Sequence, residues 1–315
     1  MEYQTSNSNP LVGSAMQTVW GWEIPLYLFL GGLVAGMMVI SGYFYFSGRW
    51  RATDCICRRL APMSLVFLSV GMLALFLDLE HKVYFWRLYL TFQPSSPMSW
   101  GSWILLLVYP VLLANLLLHL PAGAAARWPT WAARREKFLA QSSVVRVVRA
   151  LGVANMGLGV LLGIYTGILL SSLGARPLWN SAILGPLFLV SGLSTAAALV
   201  HLLADSEWER EALAKVDTGL LGIELLFIAL FLIGLFSAGE AHMEAARLLV
   251  GGPYTAAFWV FVVGVGMVVP MLIQPLAFSH RIQHTPVAPI LVLAGGLALR
   301  FVLVYAGQYS GYSPV

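Results

Sequence analysis

Charge is the first thing this sequence lacks. Only 10% of its 315 residues are charged and 59% are hydrophobic, where a soluble domain carries about 25% charged residues. So few charges cannot clothe an aqueous surface, which directs most of the surface to lipid. The net charge of +4 is therefore no sign of nucleic-acid binding. What counts is where the positive residues sit.

Cysteine is also scarce. Cys55 and Cys57 are too few and too close for an iron–sulfur cluster, which needs about four thiolates. They read as incidental rather than as a disulfide staple. The stretch Met1 to Trp20 lacks a basic region followed by an apolar one, so no cleavable signal peptide is expected. Histidines are missing from mid-membrane depth. His119 and His201 fall at the inner ends of the third and fifth apolar segments, and His81, His242, His280 and His284 fall in loops. A bis-histidine haem needs two ligands well inside the bundle, so neither haem nor metal is expected.

What is present is apolar length. Eight segments reach the roughly 20 residues that a spanning helix requires. They are Ile24–Phe46, Leu60–Leu79, Trp103–Leu120, Val147–Leu173, Ser181–Ala204, Thr218–Ala238, Thr255–Phe278 and Val287–Gly307. The Lys and Arg residues are unevenly shared between the connections. One set holds 13 of them, including Arg49, Arg51, Arg58, Arg59, Arg134, Arg135, Arg210, Lys215 and Arg281. The alternate set holds Lys82, Arg87, Arg176 and Arg247, and the tails hold none. By the positive-inside rule the arginine-rich loops are cytoplasmic and both termini lie outside. The aromatic run from His81 to Met98 is expected along the outer interface, and a short surface helix around Trp128–Arg146 on the inner side.

Ionisable residues inside a span are costly, about 2.5–3.5 kcal/mol each on insertion scales, and invite a functional reading. Glu23 stands at the outer mouth of the first segment and Asp78 at the outer end of the second. Asp217 is at the inner mouth of the sixth, Glu224 about two turns deeper, and Arg300 lies in the eighth. They suggest a proton relay of Asp217, Glu224 and Arg300, with Gln274 and His201 beside Glu224. The blander readings are an Asp78–Arg300 ion pair, a solvated Glu23 and a protonated Glu224 in the core. Asn115, Asn155 and Gln274 read as interhelical glue. The run Gly31-Gly32-Leu33-Val34-Ala35-Gly36 reads as a close-packing surface.

Several strings, taken in order, say more. They are Trp20-Gly21-Trp22-Glu23-Ile24-Pro25-Leu26-Tyr27, Leu77-Asp78-Leu79, Pro97-Met98-Ser99-Trp100-Gly101-Ser102-Trp103, Tyr165-Thr166-Gly167, Pro177-Leu178-Trp179-Asn180, Leu299-Arg300-Phe301 and Ala306-Gly307-Gln308. In this order, from Trp20 to Gln308, the chain resembles the NrfD/PsrC family, the membrane subunits of polysulfide-reductase-like complexes. The resemblance implies a haem-free and metal-free subunit that exchanges electrons between menaquinone or ubiquinone and a four-cluster ferredoxin-like iron–sulfur subunit. That partner is wired in turn to a molybdopterin catalytic subunit or to multihaem cytochromes. It also implies a quinone pocket at the outer ends of the first four helices. There this chain gathers Trp22, Glu23, Tyr27, Asp78, Trp100 and Tyr165.

The expected fold is an all-α integral membrane protein of about eight transmembrane helices in a bacterial inner membrane. A periplasmic tail covers 1–20, a four-helix bundle with the pocket 21–175, a second four-helix bundle 176–308, and a short periplasmic tail 309–315. The competing class is a secondary transporter or ion-conducting module built on Glu224 and Arg300. Transporters often carry inverted repeats and paired broken helices, and no internal repeat is evident, although Pro186 and Pro270 each stand where a span could break.

Overall fold

Across hydrocarbon no water reaches the backbone, so a spanning segment must satisfy its own amides as a helix. This computed structural model describes residues 20–52, 55–79, 81–118, 127, 129–139, 141, 143–278 and 285–311. Among them eight helices are long and apolar enough to cross a membrane, in the order the sequence predicts. They are α1 Glu23–Ser47, α2 Cys57–Asp78, α3 Pro97–Leu118, α4 Val144–Ser171, α5 Leu184–Leu203, α6 Glu207–Ala238, α7 Ala257–Leu276 and α8 Val287–Tyr309. No strand occurs among the described residues. The first part of α7, Ala257–Val268, is wound as a π-helix.

Two spans, α3 and α6, begin six or more residues earlier than hydropathy indicates, and both carry start signals that an apolar window passes over. Helix α3 starts at Pro97, a residue suited to the first turn because its missing N–H is not needed there. Helix α6 starts after Ser206 with Glu207 and Glu209 in its first turn, where carboxylates complement the helix dipole. On the arginine-rich side a surface helix forms at Pro129–Leu139. On the other side the His81–Met98 stretch folds into a 3₁₀ turn and a short helix at Arg87–Leu90. Val83, Trp86 and Leu90 of this stretch are largely exposed. Of the residues singled out above, His119, His280, Arg281 and His284 lie outside the described residues.

Helix α1 is the centre of the assembly, with 78% of its apolar window enclosed. It packs on α2, α4, α5 and α8. Helix α3 closes against α2 and α4, while α6 lies on α5 and α7 on α8. Small residues set the approach of α1. A Cβ on Gly36 would stand 2.5 Å from the Gly192 carbonyl oxygen of α5. A Cβ on Gly42 would stand 2.6 Å from that of Gly152 in α4. Helix association in lipid rests on this kind of close packing, so the glycine run does serve as a packing surface. The amides act as expected too. Asn115 and Asn155 exchange reciprocal bonds of 2.8 and 3.0 Å between α3 and α4.

The two described ends meet on one side. The Trp20 N–H donates to Gln308 Oε1 at 2.8 Å and Gln308 Nε2 donates to the Trp20 carbonyl at 3.0 Å. The Trp20 ring stacks on Trp179, with centroids 5.2 Å apart. The Trp179 indole N–H donates to the Leu303 carbonyl at 2.8 Å. At the opposite, arginine-rich end, Glu209 accepts from Arg49 Nε at 3.0 Å and from the Ile56 N–H at 3.3 Å. The cysteines correct an expectation here. Cys55 and Cys57 stand as a disulfide pair across the turn that enters α2, with Cα atoms 5.3 Å apart, a separation a disulfide can bridge.

The glycine crossing yields a stability test. Gly192→Val places branched carbon against Gly32, whose carbonyl oxygen a Cβ at 192 would already approach to 2.5 Å. Overpacking of this kind costs about 1–3 kcal/mol and more where backbone cannot yield. The variant is expected to melt earlier in detergent and to accumulate less, with Gly192→Ala intermediate, as read by fluorescence-detected gel filtration.

Candidate functional site

Glu23 and Tyr27 are four residues apart in α1, which stacks them on one helix face. Glu23 opens the helix and Tyr27 lies one turn deeper, buried. Tyr165 of α4 comes to meet it, which brings the two phenols together. Helix α3 leaves room by carrying Gly101, where a Cβ would lie 1.9 Å from Tyr165 Cζ. Asp78 ends α2 within electrostatic reach of Glu23. This end therefore gathers two phenols and two carboxylates on α1, α2 and α4.

Trp22 and Trp100 stand apart from this core of the cluster. Both are half-exposed, and the Trp100 indole N–H already donates to the Pro94 carbonyl at 2.7 Å. A third phenol, which sequence reasoning does not single out, takes part instead. Tyr89 interacts electrostatically with both Tyr27 and Tyr165. It arrives because the aromatic loop folds back onto the start of α3. Ser102 Oγ donates to the Leu88 carbonyl at 2.8 Å and Ser99 Oγ to the Thr91 carbonyl at 3.2 Å. Partial burial, with Tyr109 nearby, holds the Tyr89 phenol above its ordinary range, so it is a neutral donor at physiological pH. The one signal in the sequence is Ser99 and Ser102, a turn apart beside an aromatic loop.

A second polar group crosses the interior between α5, α6, α7 and α8. Asp217, Glu224 and Arg300 are all fully buried. Ser194 Oγ donates to Asp217 Oδ1 at 2.6 Å, and Gln274 Nε2 donates to Asp217 Oδ2 at 2.6 Å. Thr218 Oγ1 donates to Gln274 Oε1. Gln274 thus serves Asp217 rather than flanking Glu224. Arg300 donates to Ser191 Oγ, to the Gly296 carbonyl at 3.1 Å and to the Phe188 carbonyl at 3.1 Å. Its guanidinium also lies over the Phe188 ring, 4.9 Å from the centroid. The expected Asp78–Arg300 pair is therefore wrong. Arg300 is held by α5 and lies within electrostatic reach of Glu224, with Ser191 close to both. Glu224 Oε1 and Arg300 Nε have no hydrogen-bond partner among the described residues.

The helix register explains the order of these groups. Asp217 and Glu224 are seven residues apart on one face of α6, roughly 10 Å. Ser194 and Ser191 are one turn apart on one face of the antiparallel α5, roughly 4.5 Å. Each serine meets one carboxylate, so α5 spans part of the gap between the acids. The arrangement can carry a proton only with water beside the two unpartnered atoms, since neither rung reaches the next directly.

The sequence matches known proteins along nearly its whole length. Residues 10–310 match the family described as "Polysulphide reductase, NrfD". The sequence is 31% identical to the C subunit of polysulfide reductase from Wolinella succinogenes, over 95% of this protein and 98% of that one. It is 32% identical to protein NrfD of Escherichia coli K12, over 92% and 95%. It is 24% identical to the Hdr-like menaquinol oxidoreductase integral membrane subunit of Archaeoglobus fulgidus, over 97% and 75%.

The Asp217 node gives a second prediction. Ser194→Ala leaves a buried carboxylate oxygen without its donor, which costs about 1–3 kcal/mol. The melting temperature is expected to fall in Ser194→Ala and in Gln274→Leu. Because both bond the same carboxylate, their effects should not add in the double variant.

Proposed function

Because this chain belongs to the NrfD polysulphide reductase family, we propose that it is the quinone-reactive membrane anchor of a respiratory oxidoreductase complex in a bacterial inner membrane. The observation that carries this reading is the buried Tyr27–Tyr165 pair at the mouth guarded by Glu23 and Asp78. A quinone carbonyl needs hydrogen-bond donors, and each reduction to quinol needs two protons. The phenols are neutral donors within an apolar wall, and the carboxylates at the surface can exchange protons with water. The Archaeoglobus relative, named as part of a menaquinol oxidoreductase, supports the same substrate class.

In this reading menaquinone or ubiquinone is a substrate, and the subunit itself holds neither haem nor metal. The positive-inside rule puts the tyrosine end, and both termini, on the periplasmic side. A four-cluster ferredoxin-like subunit docks there and passes electrons to or from a molybdopterin subunit or multihaem cytochromes. Trp22 and Trp100, half-exposed around the mouth, line the entry for the ring and its isoprenoid tail rather than bond the carbonyls. The interior group of Asp217, Glu224 and Arg300 is the proton relay of this proposal, with Ser194 and Ser191 as the intermediate contacts on α5.

Two measurements test the proposal. Tyr27→Phe and Glu23→Gln should raise the quinol KM or lower kcat by roughly five- to a hundredfold, the loss of a hydrogen bond worth about 1–3 kcal/mol. Activity of the assembled complex with artificial electron donors should stay intact. Wild-type quinone kinetics in both variants would move the pocket elsewhere.

For the relay, Glu224→Gln keeps shape and removes only titration. In proteoliposomes it is expected to abolish charge movement coupled to turnover while the complex stays assembled. Normal charge movement in this variant would leave Glu224 as a structural residue.

A further inference from the structure

At the arginine-rich end, away from the tyrosines, a cavity of about 460 Å³ opens between α1, α4, α5 and α6. Val39, Ile40, Met156, Leu193, Leu213 and Leu220 supply much of its wall. Its one acidic lining residue is Glu209, and both carboxylate oxygens of Glu209 are already engaged, by Arg49 and by the Ile56 N–H. The inner wall is aliphatic, and the hydrogen-bond donors of the lining, the Tyr43 hydroxyl and the Trp208 indole, belong to its half-exposed residues. Such a wall suits a hydrocarbon chain. The lining residues that reach the surface are Tyr43, Trp208 and Val216, each about half-exposed. Two of these are aromatics of the type that sits at headgroup level. The Trp208 ring carries the Arg49 guanidinium at 4.2 Å.

The rim is positive once paired charges are set aside. Arg49 pairs with Glu209, Arg59 with Asp205, and Lys215 with Glu211. Arg51 and Arg58 are exposed on the connection from α1 to α2 and its continuation into α2, and Arg210 follows in the first turns of α6. Among the described residues of this rim, Glu207 is the acid left. Basic sites between helices on the positive side of a membrane bind anionic lipid headgroups.

We infer that this cavity holds one acyl chain of an anionic phospholipid, whose phosphate rests on the Arg49–Arg51 turn beside Trp208. The lipid wedges α1 from α6 at the end where the ion pair Arg49–Glu209 ties them. It is distinct from any quinone at the opposite end, and the inference does not depend on the quinone reading.

The test uses the full chain in its complex, purified in mild detergent. Phospholipids are extracted and quantified by mass spectrometry. The double variant Ala197→Phe, Ala212→Phe fills the cavity and is expected to lose one retained phospholipid per chain. Arg51→Gln with Arg58→Gln should keep a lipid but lower the preference for phosphatidylglycerol over phosphatidylethanolamine, about fivefold for each arginine, or about 1 kcal/mol. Should the filled variant not assemble, the wild-type complex in vesicles containing phosphatidylglycerol with a chain-terminal diazirine gives the same answer. Cross-links are expected on Val39, Met156 or Leu193. Unchanged lipid retention in the filled variant, cross-links confined to other surfaces, or a quinone as the molecule displaced would each overturn the proposal.

Discussion

The guanidinium of Arg300 sits where α1, α5 and α8 converge, and much of the fold can be understood as what it takes to hold that cation in hydrocarbon. An unpaired charge at this depth is expensive. Here the cost is offset by two carbonyls, a serine hydroxyl, the face of Phe188 and the nearby Glu224 carboxylate. Gly32 of α1 leaves the space: a Cβ there would approach Arg300 to 3.2 Å. The same small-residue seam that lets α1 press on α5 therefore also admits the arginine. Residues placed for packing and residues placed for charge depend on one another at this point.

The seam also separates two environments. On one side of it the ends of α1, α2 and α4 bring phenols and carboxylates together over a buried surface. On the other, α1 and α6 part around an aliphatic cavity and are tied by Arg49 and Glu209. Between them runs the α5–α6 ladder of serines and acids. One polypeptide thus has a polar entrance, a sparsely polar middle and a hydrocarbon-lined far end.

How much of this is legible in the sequence depends on which coordinate is asked for. Depth along the membrane normal is readable, because apolar length and charge mark it. All eight spans, the surface helix at Pro129–Leu139 and the interior location of Asp217, Glu224 and Arg300 follow from it. Rotation about each helix axis is not. Depth alone pairs Arg300 with Asp78, although its partners are on α5. It sets Gln274 beside Glu224, although Gln274 serves Asp217. Tyr89 reads as one more interfacial aromatic, because nothing local shows that Ser99 and Ser102 pull its loop back over α3. The cysteine pair escapes for a related reason: the turn that directs both side chains inward is held by Glu209, more than 150 residues away along the chain.

The clasp of Trp20, Trp179 and Gln308 has a bearing on biogenesis. Helix α1 is made before the other seven spans, yet it is the helix around which they are arranged, and its entry residue is secured by a residue near the end of α8. During synthesis the glycine faces of α1 therefore stay open until α4 and α5 have been inserted. Helix α8 then closes the ring of contacts. Truncation before Gln308 leaves the start of α1 without the two hydrogen bonds that hold Trp20.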